Sequence, residues 1–252
     1  GQINGTTGYE EAGGQGVVAG LNAAAAALEL APVTLGRDQS YIGVLVDDLV
    51  SRGVDEPYRL FTSRSEFRLT VRQDNAIPRL YGLGDGLGLY TDAERRAAER
   101  RLADEATAMR LAASTSLTPA AADPVLLLAG ERGLAHAVPL QDVAKRQKVA
   151  LRDLFTAAGV GAGLAADAVT TADLEIKYAG YLERERAAAA RLQRLAGLVL
   201  PADLDYHVFI NVSVEARQKL AQRRPATLAE AASVPGVSPA DLQNILFELG
   251  RW

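Results

Sequence analysis

Cysteine is absent from the 252 residues, and histidine occurs only twice, at His136 and His207. Without a thiol, disulfides, Cys-ligated metals and thiol nucleophiles are excluded for this chain. The two imidazoles stand far apart in sequence with no carboxylate pattern around either, so both read as surface or partly buried structural residues and no metal site is expected. No apolar run approaches the ~20 residues of a membrane span, and no stretch reads as a cleavable signal. Also missing is the G-x-G-x-x-G fingerprint that follows a strand in dinucleotide-binding folds. Gly14-Gln15-Gly16 falls inside a helical pattern, and the run from Gly82 to Gly88 follows no strand of the required kind.

A basic surplus is lacking as well. The net charge is −4, so any nucleic-acid surface must be local. Residues 1–91 hold seven arginines against eleven carboxylates, and residues 92–252 hold twenty charges of each sign. A modest basic patch is 177–224, where Lys177, Arg184, Arg186, Arg191, Arg194, Arg217, Lys219, Arg223 and Arg224 face five acids. Such a run is commonly a solvated helix face. With 48% hydrophobic residues the chain can fill one large or two small cores. Composition fits a soluble, intracellular, mainly helical protein.

What is present is concentrated at the start. Residues 1–16 form a glycine-dense polar loop that runs into a helix of small residues. Thr6 or Thr7 can cap that helix, Glu10 and Glu11 suit the positive end of its dipole, and the loop can offer backbone N–H groups to an anion. Gly13, Gly14 and Gly16 each cost a helix about 1 kcal/mol relative to Ala, so something other than helix stability favours them. Tight packing on a neighbouring sheet and contact with a phosphate or cofactor both remain open on spacing alone.

Val17, Leu21, Ala24 or Ala25 and Leu28 recur at helical spacing, which predicts an amphipathic helix over 9–30, ended by Pro32. Residues 40–51 read as a helix capped by Ser40, with a Val-rich centre that leaves a strand possible. From Arg64 to Arg72, alternation places Phe67, Leu69 and Val71 on one face of a strand, whereas a helix would line up Arg64, Arg68 and Arg72. A fan of guanidinium groups suits phosphate. Asp47, Asp48, Asp55, Glu56 and Glu66 are numerous enough to neutralise it, and on the residues alone ion pairing is the simpler reading.

From Thr91 the pattern turns helical. A capped, charged helix is expected to about Ala113, with small helices near 124–130, 140–145 and 149–158. A long helix follows from Asp173 to about Leu198, then a trio over Val214 to Arg223, Leu228 to Ser233 and Pro239 to Leu249, the last with Ser238 as N-cap and Pro239 at its first position.

Several of these stretches are words of one family. Gln2-Ile3-Asn4-Gly5-Thr6-Thr7-Gly8-Tyr9-Glu10-Glu11, the run from Glu56 to Leu69, Asp74-Asn75-Ala76, Glu175-Ile176-Lys177-Tyr178-Ala179-Gly180-Tyr181 and Gly236-Val237-Ser238-Pro239-Ala240-Asp241 closely resemble successive motifs of MnmG, also called GidA. That family supplies the FAD-dependent subunit of the enzyme that builds the carboxymethylaminomethyl group on the wobble uridine of tRNA.

The resemblance implies a C-terminal piece of such a protein. Residues 1–91 would be the closing edge of an α/β FAD-binding domain and residues 92–252 a helical tRNA- and partner-binding domain, the whole mainly α. The family's proposed catalytic cysteines would lie in the part not present, so no catalytic residue is expected here. The implied cofactor-side residues are Gln2, Asn4, Thr6, Thr7, Gly8 and Tyr9; the implied tRNA-side residues are Arg59, Arg64, Arg68, Lys177, Arg184 and Arg217. NADH and a methylene-folate are the implied co-substrates. A cytoplasmic homodimer working with the GTPase MnmE is the implied assembly. Leu242, Ile245, Leu246, Leu249 and Trp252 would be either the docking face for that GTPase or the helical trio's own core.

Three positions depart from the family pattern. Ser233 stands where an Arg is usual, Asn211 where a Gly usually precedes the L-S-x-E-A-R motif, and Glu185 where a Gln tends to follow Tyr181 by four. They weaken the transfer of individual RNA contacts to the last eighty residues. The folate-dependent tRNA methyltransferases related to the flavoprotein half lack the long helical tail, so residues 92–252 argue against them.

Overall fold

Helix-forming side chains dominate the sequence, and the computed structural model, which describes residues 1–52, 57–232 and 234–250, is mainly α. Asp55, Glu56, Ser233 and Trp252, named above, lie outside the described residues. The chain divides into two compact units, one of Gly1–Arg68 with Arg186–Trp252 and the other of Leu69–Glu185.

In the first unit, helix α1 (Tyr9–Ala27) starts from Gly8 without a side-chain cap. It stops ahead of Pro32, because Glu29 enters the left-handed region (φ 55°) and the Leu30 N–H turns back to the Ala25 carbonyl. Asn22 then pins the following strand-like segment by accepting from Val33 N–H and donating to Val33 O. The amphipathic stripe expected on α1 is not a core face among the described residues: Ala25 is its one buried residue, and Val17 and Leu28 are exposed. Helix α2 (Tyr41–Asp47) is capped by Ser40, whose hydroxyl accepts from Gly43 N–H. It loosens into a π turn over Asp48–Arg52. A Cβ on Gly43 would overlap the Gly36 carbonyl, so here glycine permits a backbone-on-backbone approach.

Residues 64–72 form neither the strand nor the helix expected. A 3-10 turn at Thr62–Arg64 gives way to irregular backbone, although Phe67 and Val71 are buried as the alternation foretold.

The second unit holds α3 (Ala76–Gly86), α4 (Asp92–Ser114), α5 (Pro119–Leu128), α6 (Leu140–Ala144), α7 (Leu151–Ala158) and most of α8 (Ala166–Ala196). A short antiparallel pair, β1 (Ser116–Leu117) with β2 (Val138–Pro139), ties the end of α4 to the start of α6. Thr91 and Glu94 form the capping box that fixes the start of α4. Leu117, Leu126, Leu140, Leu151, Leu154 and Phe155 fill the core, against alanines of α4 and α8 small enough to let those helices close in. Arg101, almost fully buried, is satisfied by Asp167, Glu105 and Thr171. Arg72 is ion-paired as on the simpler reading, but with Asp74 and Glu175, neither of which is among the expected partners. Glu185 receives the N–H groups of Leu69 and Thr70 and the Thr70 hydroxyl.

The remainder of the first unit is the helical trio α9 (Val214–Arg223), α10 (Leu228–Ala232) and α11 (Pro239–Glu248). Its core is Tyr206, Phe209, Leu220, Leu228, Ile245 and Leu246, with Leu242 and Leu249 packed against it. Ile245 and Leu246 therefore belong to the trio's interior, with Leu242 and Leu249 half-buried against it, so the core alternative describes Ile245 and Leu246. No helix among the described residues is long and apolar enough to cross a membrane.

Candidate functional site

The glycine loop and the arginine segment, distant in sequence, meet in the first unit. Tyr58 N–H donates to the Gly5 carbonyl at 2.8 Å, and Thr6 and Tyr58 form an isolated parallel bridge. Leu60 N–H donates to Glu11 at 3.1 Å, with the Arg59 guanidinium 3.6 Å from the same oxygen. These contacts, the Leu60 N–H foremost, hold the Glu11 carboxyl below its usual range.

Behind this seam lies an ionic cluster centred on Arg37, a residue that sequence reasoning passed over. Its guanidinium reaches Asp48 at 2.7 Å, Asp47 and Glu66 at 2.9 Å, and the Arg64 carbonyl at 3.0 Å. Burial opposes its charge, but the carboxylates win and raise its pKa. Asp48, with 2% of its side chain exposed, also accepts the Tyr58 hydroxyl at 2.9 Å. Burial and that carboxylate push the Tyr58 pKa up, which keeps the phenol protonated. Arg64 lies 4.7 Å above the Tyr58 ring, donates to the Arg59 carbonyl at 3.1 Å and stands 3.6 Å from Asp48. A lone arginine in a loop carries no periodicity, so nothing in the sequence singled out Arg37.

Each residue named from the sequence has a definite place. Thr6 is fully buried and spends its hydroxyl on the Gly1 carbonyl and the Gln15 side chain, so it caps nothing. Thr7 does not cap α1 either; Gly8 holds that position. Gln2, Asn4, Thr7 and Tyr9 are exposed. Arg68 is exposed and makes no ion pair among the described residues. In the second unit, Lys177 is committed to Asp173 at 2.7 Å with 9% of its side chain exposed, while Arg184 is exposed and lies 4.7 Å over the Tyr181 ring. Arg217 gives Nη1 to the His207 carbonyl, and its Nε is buried without a partner among the described residues. Both histidines are exposed. No His, Asp and Glu cluster among the described residues could hold a metal.

The start of α1 is not an open anion site, because Glu11 folds back over it: a Cβ on Gly8 would collide with that carboxylate. The opening loop fits a cofactor as a polar edge of uncharged amides and hydroxyls, and does not fit the pyrophosphate arm of a dinucleotide.

Three family models match the chain. "Glucose inhibited division protein A" covers residues 1–31, "tRNA modifying enzyme MnmG/GidA C-terminal helical domain" covers 92–186, and "tRNA modifying enzyme MnmG/GidA C-terminal helical bundle" covers 188–251. The chain belongs to the MnmG/GidA family.

Among its relatives, a Flavobacterium psychrophilum protein named tRNA uridine 5-carboxymethylaminomethyl modification enzyme MnmG is 43% identical over 256 residues, covering all of this chain and 41% of the relative. The Geobacter sulfurreducens protein of the same name is 42% identical over 244 residues, covering 95% of this chain and 38% of the relative. The form II crystal structure of Aquifex aeolicus GidA superposes with a TM-score of 0.73 at 36% identity, covering 99% of this chain and 39% of that one. The chain thus spans about two-fifths of the length of the MnmG relatives it matches.

Proposed function

We propose that this chain is the C-terminal part of a flavin-dependent tRNA-modifying enzyme that, with the GTPase MnmE, installs the carboxymethylaminomethyl group at C5 of the wobble uridine, position 34, of tRNA. The observation that carries this reading is the 43% identity, over the whole chain, to a protein named for that modification. FAD, when bound, supplies hydride chemistry, with NADH and a methylene-folate as co-substrates. This chain's own share is positional. Gln2, Asn4 and Thr7 offer uncharged hydrogen-bonding groups to the cofactor's edge, and the Arg37, Asp48 and Tyr58 cluster fixes the backbone on which Arg59 and Arg64 stand. Residues 1–91 then close the cofactor site, and the exposed face of α1 lies against the part of the relatives' length that this chain does not span. Residues 92–252 hold tRNA and the GTPase, with Arg68, Lys177, Arg184 and Arg217 as the further tRNA-side residues. The enzyme works as a cytoplasmic homodimer.

The test is a chimera. The corresponding two-fifths of the Flavobacterium relative are replaced by this chain and expressed in a strain lacking the enzyme, and tRNA nucleosides are measured by mass spectrometry. Restored carboxymethylaminomethyl uridine is expected. Its absence from a chimera that is soluble and flavin-loaded overturns the reading.

A second reading, a non-catalytic tRNA- and protein-binding module, rests on a specific observation. Tyr58, buried beside the loop, is locked to the buried Asp48 and held protonated. The isolated chain is accordingly colourless and inactive yet shifts tRNA on a gel.

A further inference from the structure

The segment 131–153 carries five basic residues against three acids in a chain whose net charge is −4. It lies outside the 177–224 run and plays no part in the seam described above. Its geometry makes it one surface. Arg146, at the end of α6, donates Nη1 to the Arg132 carbonyl at 2.6 Å, binding the 130–137 loop to the α6–α7 junction. Val149 N–H closes a turn on the Arg146 carbonyl, and α7 begins two residues later.

The charges on this surface are accessible. Arg132, Lys145, Lys148 and Arg152 are all exposed. Arg132, Lys148 and Arg152 make no ion pair among the described residues. Lys145 pairs with Asp142 at 2.8 Å, but both side chains are about half exposed, and such a surface pair is weak enough to leave the ammonium accessible. Glu131 lies 4.0 Å from Arg146, which leaves Asp153 as the one acid of the segment without an ion pair among the described residues.

What the surface lacks decides the partner. Segment 131–153 contains no aromatic residue, and its leucines and valines are buried or half-buried under the row. Protein interfaces concentrate aromatic and apolar groups at their centre. A rim of flexible cations without such a centre suits the regular charge of a nucleic-acid backbone.

We propose that Arg132, Lys145, Lys148 and Arg152 form a phosphate-backbone contact for structured RNA, reading charge and shape and not sequence. The proposal rests on the tRNA reading above and adds contact residues that reading does not name.

The test titrates the 252-residue chain with an unmodified tRNA transcript across a salt series from 50 to 200 mM. The triple variant Arg132→Ala, Lys148→Ala, Arg152→Ala is expected to bind more weakly and to lose about 2.1–2.7 from the log-log salt slope, at about 0.7–0.9 per lost phosphate. The Gln triple at the same positions, with circular dichroism matching the parent, separates lost charge from lost structure and is expected to behave alike. If both triples keep the parent's affinity and slope while Arg68→Ala lowers them, the proposal is overturned and the tRNA reading stands. If the parent chain binds no tRNA at 50 mM salt, both fall. If the triples keep tRNA binding but lose binding to polyglutamate, the surface serves an acidic protein and the proposal is again overturned.

Discussion

Tyr58 and Asp48 are both buried and share one hydrogen bond of 2.9 Å. Tyr58→Phe removes the donor and keeps the ring, which takes one hydrogen bond from a buried carboxylate oxygen that also stands 3.6 Å from Arg64. Losing a hydrogen bond to a buried charged acceptor costs about 1–3 kcal/mol, so the urea midpoint should fall at unchanged m-value. Glycines give a second contrast. Gly43→Ala meets the Gly36 carbonyl, which cannot swing aside as a side chain would, and should destabilise by about 1–3 kcal/mol. Gly13→Ala meets nothing within 4 Å and should stabilise the isolated chain by up to about 1 kcal/mol. Thermal melts of the two variants check both signs. Charge counting was enough to name Asp47, Asp48 and Glu66 as arginine partners. It paired them with the motif arginines, of which Arg64 does stand 3.6 Å from Asp48, but missed that Arg37 contacts all three at 2.7–2.9 Å, because the counting has no information on which loop folds back.

Helix starts were legible where a side chain writes them. Thr91 and Ser238, read as helix starts, both cap their helices, and the structure adds Glu94 and Asp241 as the second members of capping boxes. The 64–72 segment was not legible, because Glu185, 115 residues from Thr70, supplies hydrogen bonds that a partner strand would otherwise give. Alternation still reported which side chains go inside. Asp241 carries the pH prediction at this scale. Burial opposes its charge, but hydrogen bonds from Ser238 and Ser213 outweigh that and hold its pKa below the ordinary 3.8. A depressed carboxyl contributes stability that is present above its unfolded pKa and is lost as pH falls through the folded one. Asp241→Asn should therefore cost about 0.5–2 kcal/mol at pH 7, and the gap from the parent should narrow towards pH 3, read by urea melts at both pH values. Helix α1, with Ala25 as its one buried residue, should exchange its amide hydrogens faster than α4 or α7 in the isolated chain, since helix stability comes mainly from packing.

At the scale of the molecule, the mainly helical class and the family were readable because each motif is local and survives without knowledge of its neighbours. Burial was not. Whether Leu246 faces a partner or a core depends on Tyr206 and Phe209, which no periodicity within α11 reveals. Cofactor affinity is likewise a property of the whole. Thr6 has spent its hydroxyl internally and Glu11 covers the start of α1, so the described chain offers flavin the exposed Gln2, Asn4 and Thr7. Three neutral hydrogen bonds at about 0.5–1.5 kcal/mol each give at most about 4.5 kcal/mol. Association costs an estimated 4–15 kcal/mol in lost freedom before anything is gained. The purified 252-residue chain should therefore retain no stoichiometric FAD after extensive dialysis, measured by its visible absorbance band. In the chimera, where the rest of the site is supplied, Gln2→Ala should lower flavin occupancy while the circular dichroism of the helical part stays that of the parent. A chain that holds one FAD through dialysis would mean that its own loop makes a grip on the cofactor far stronger than these three side chains can provide.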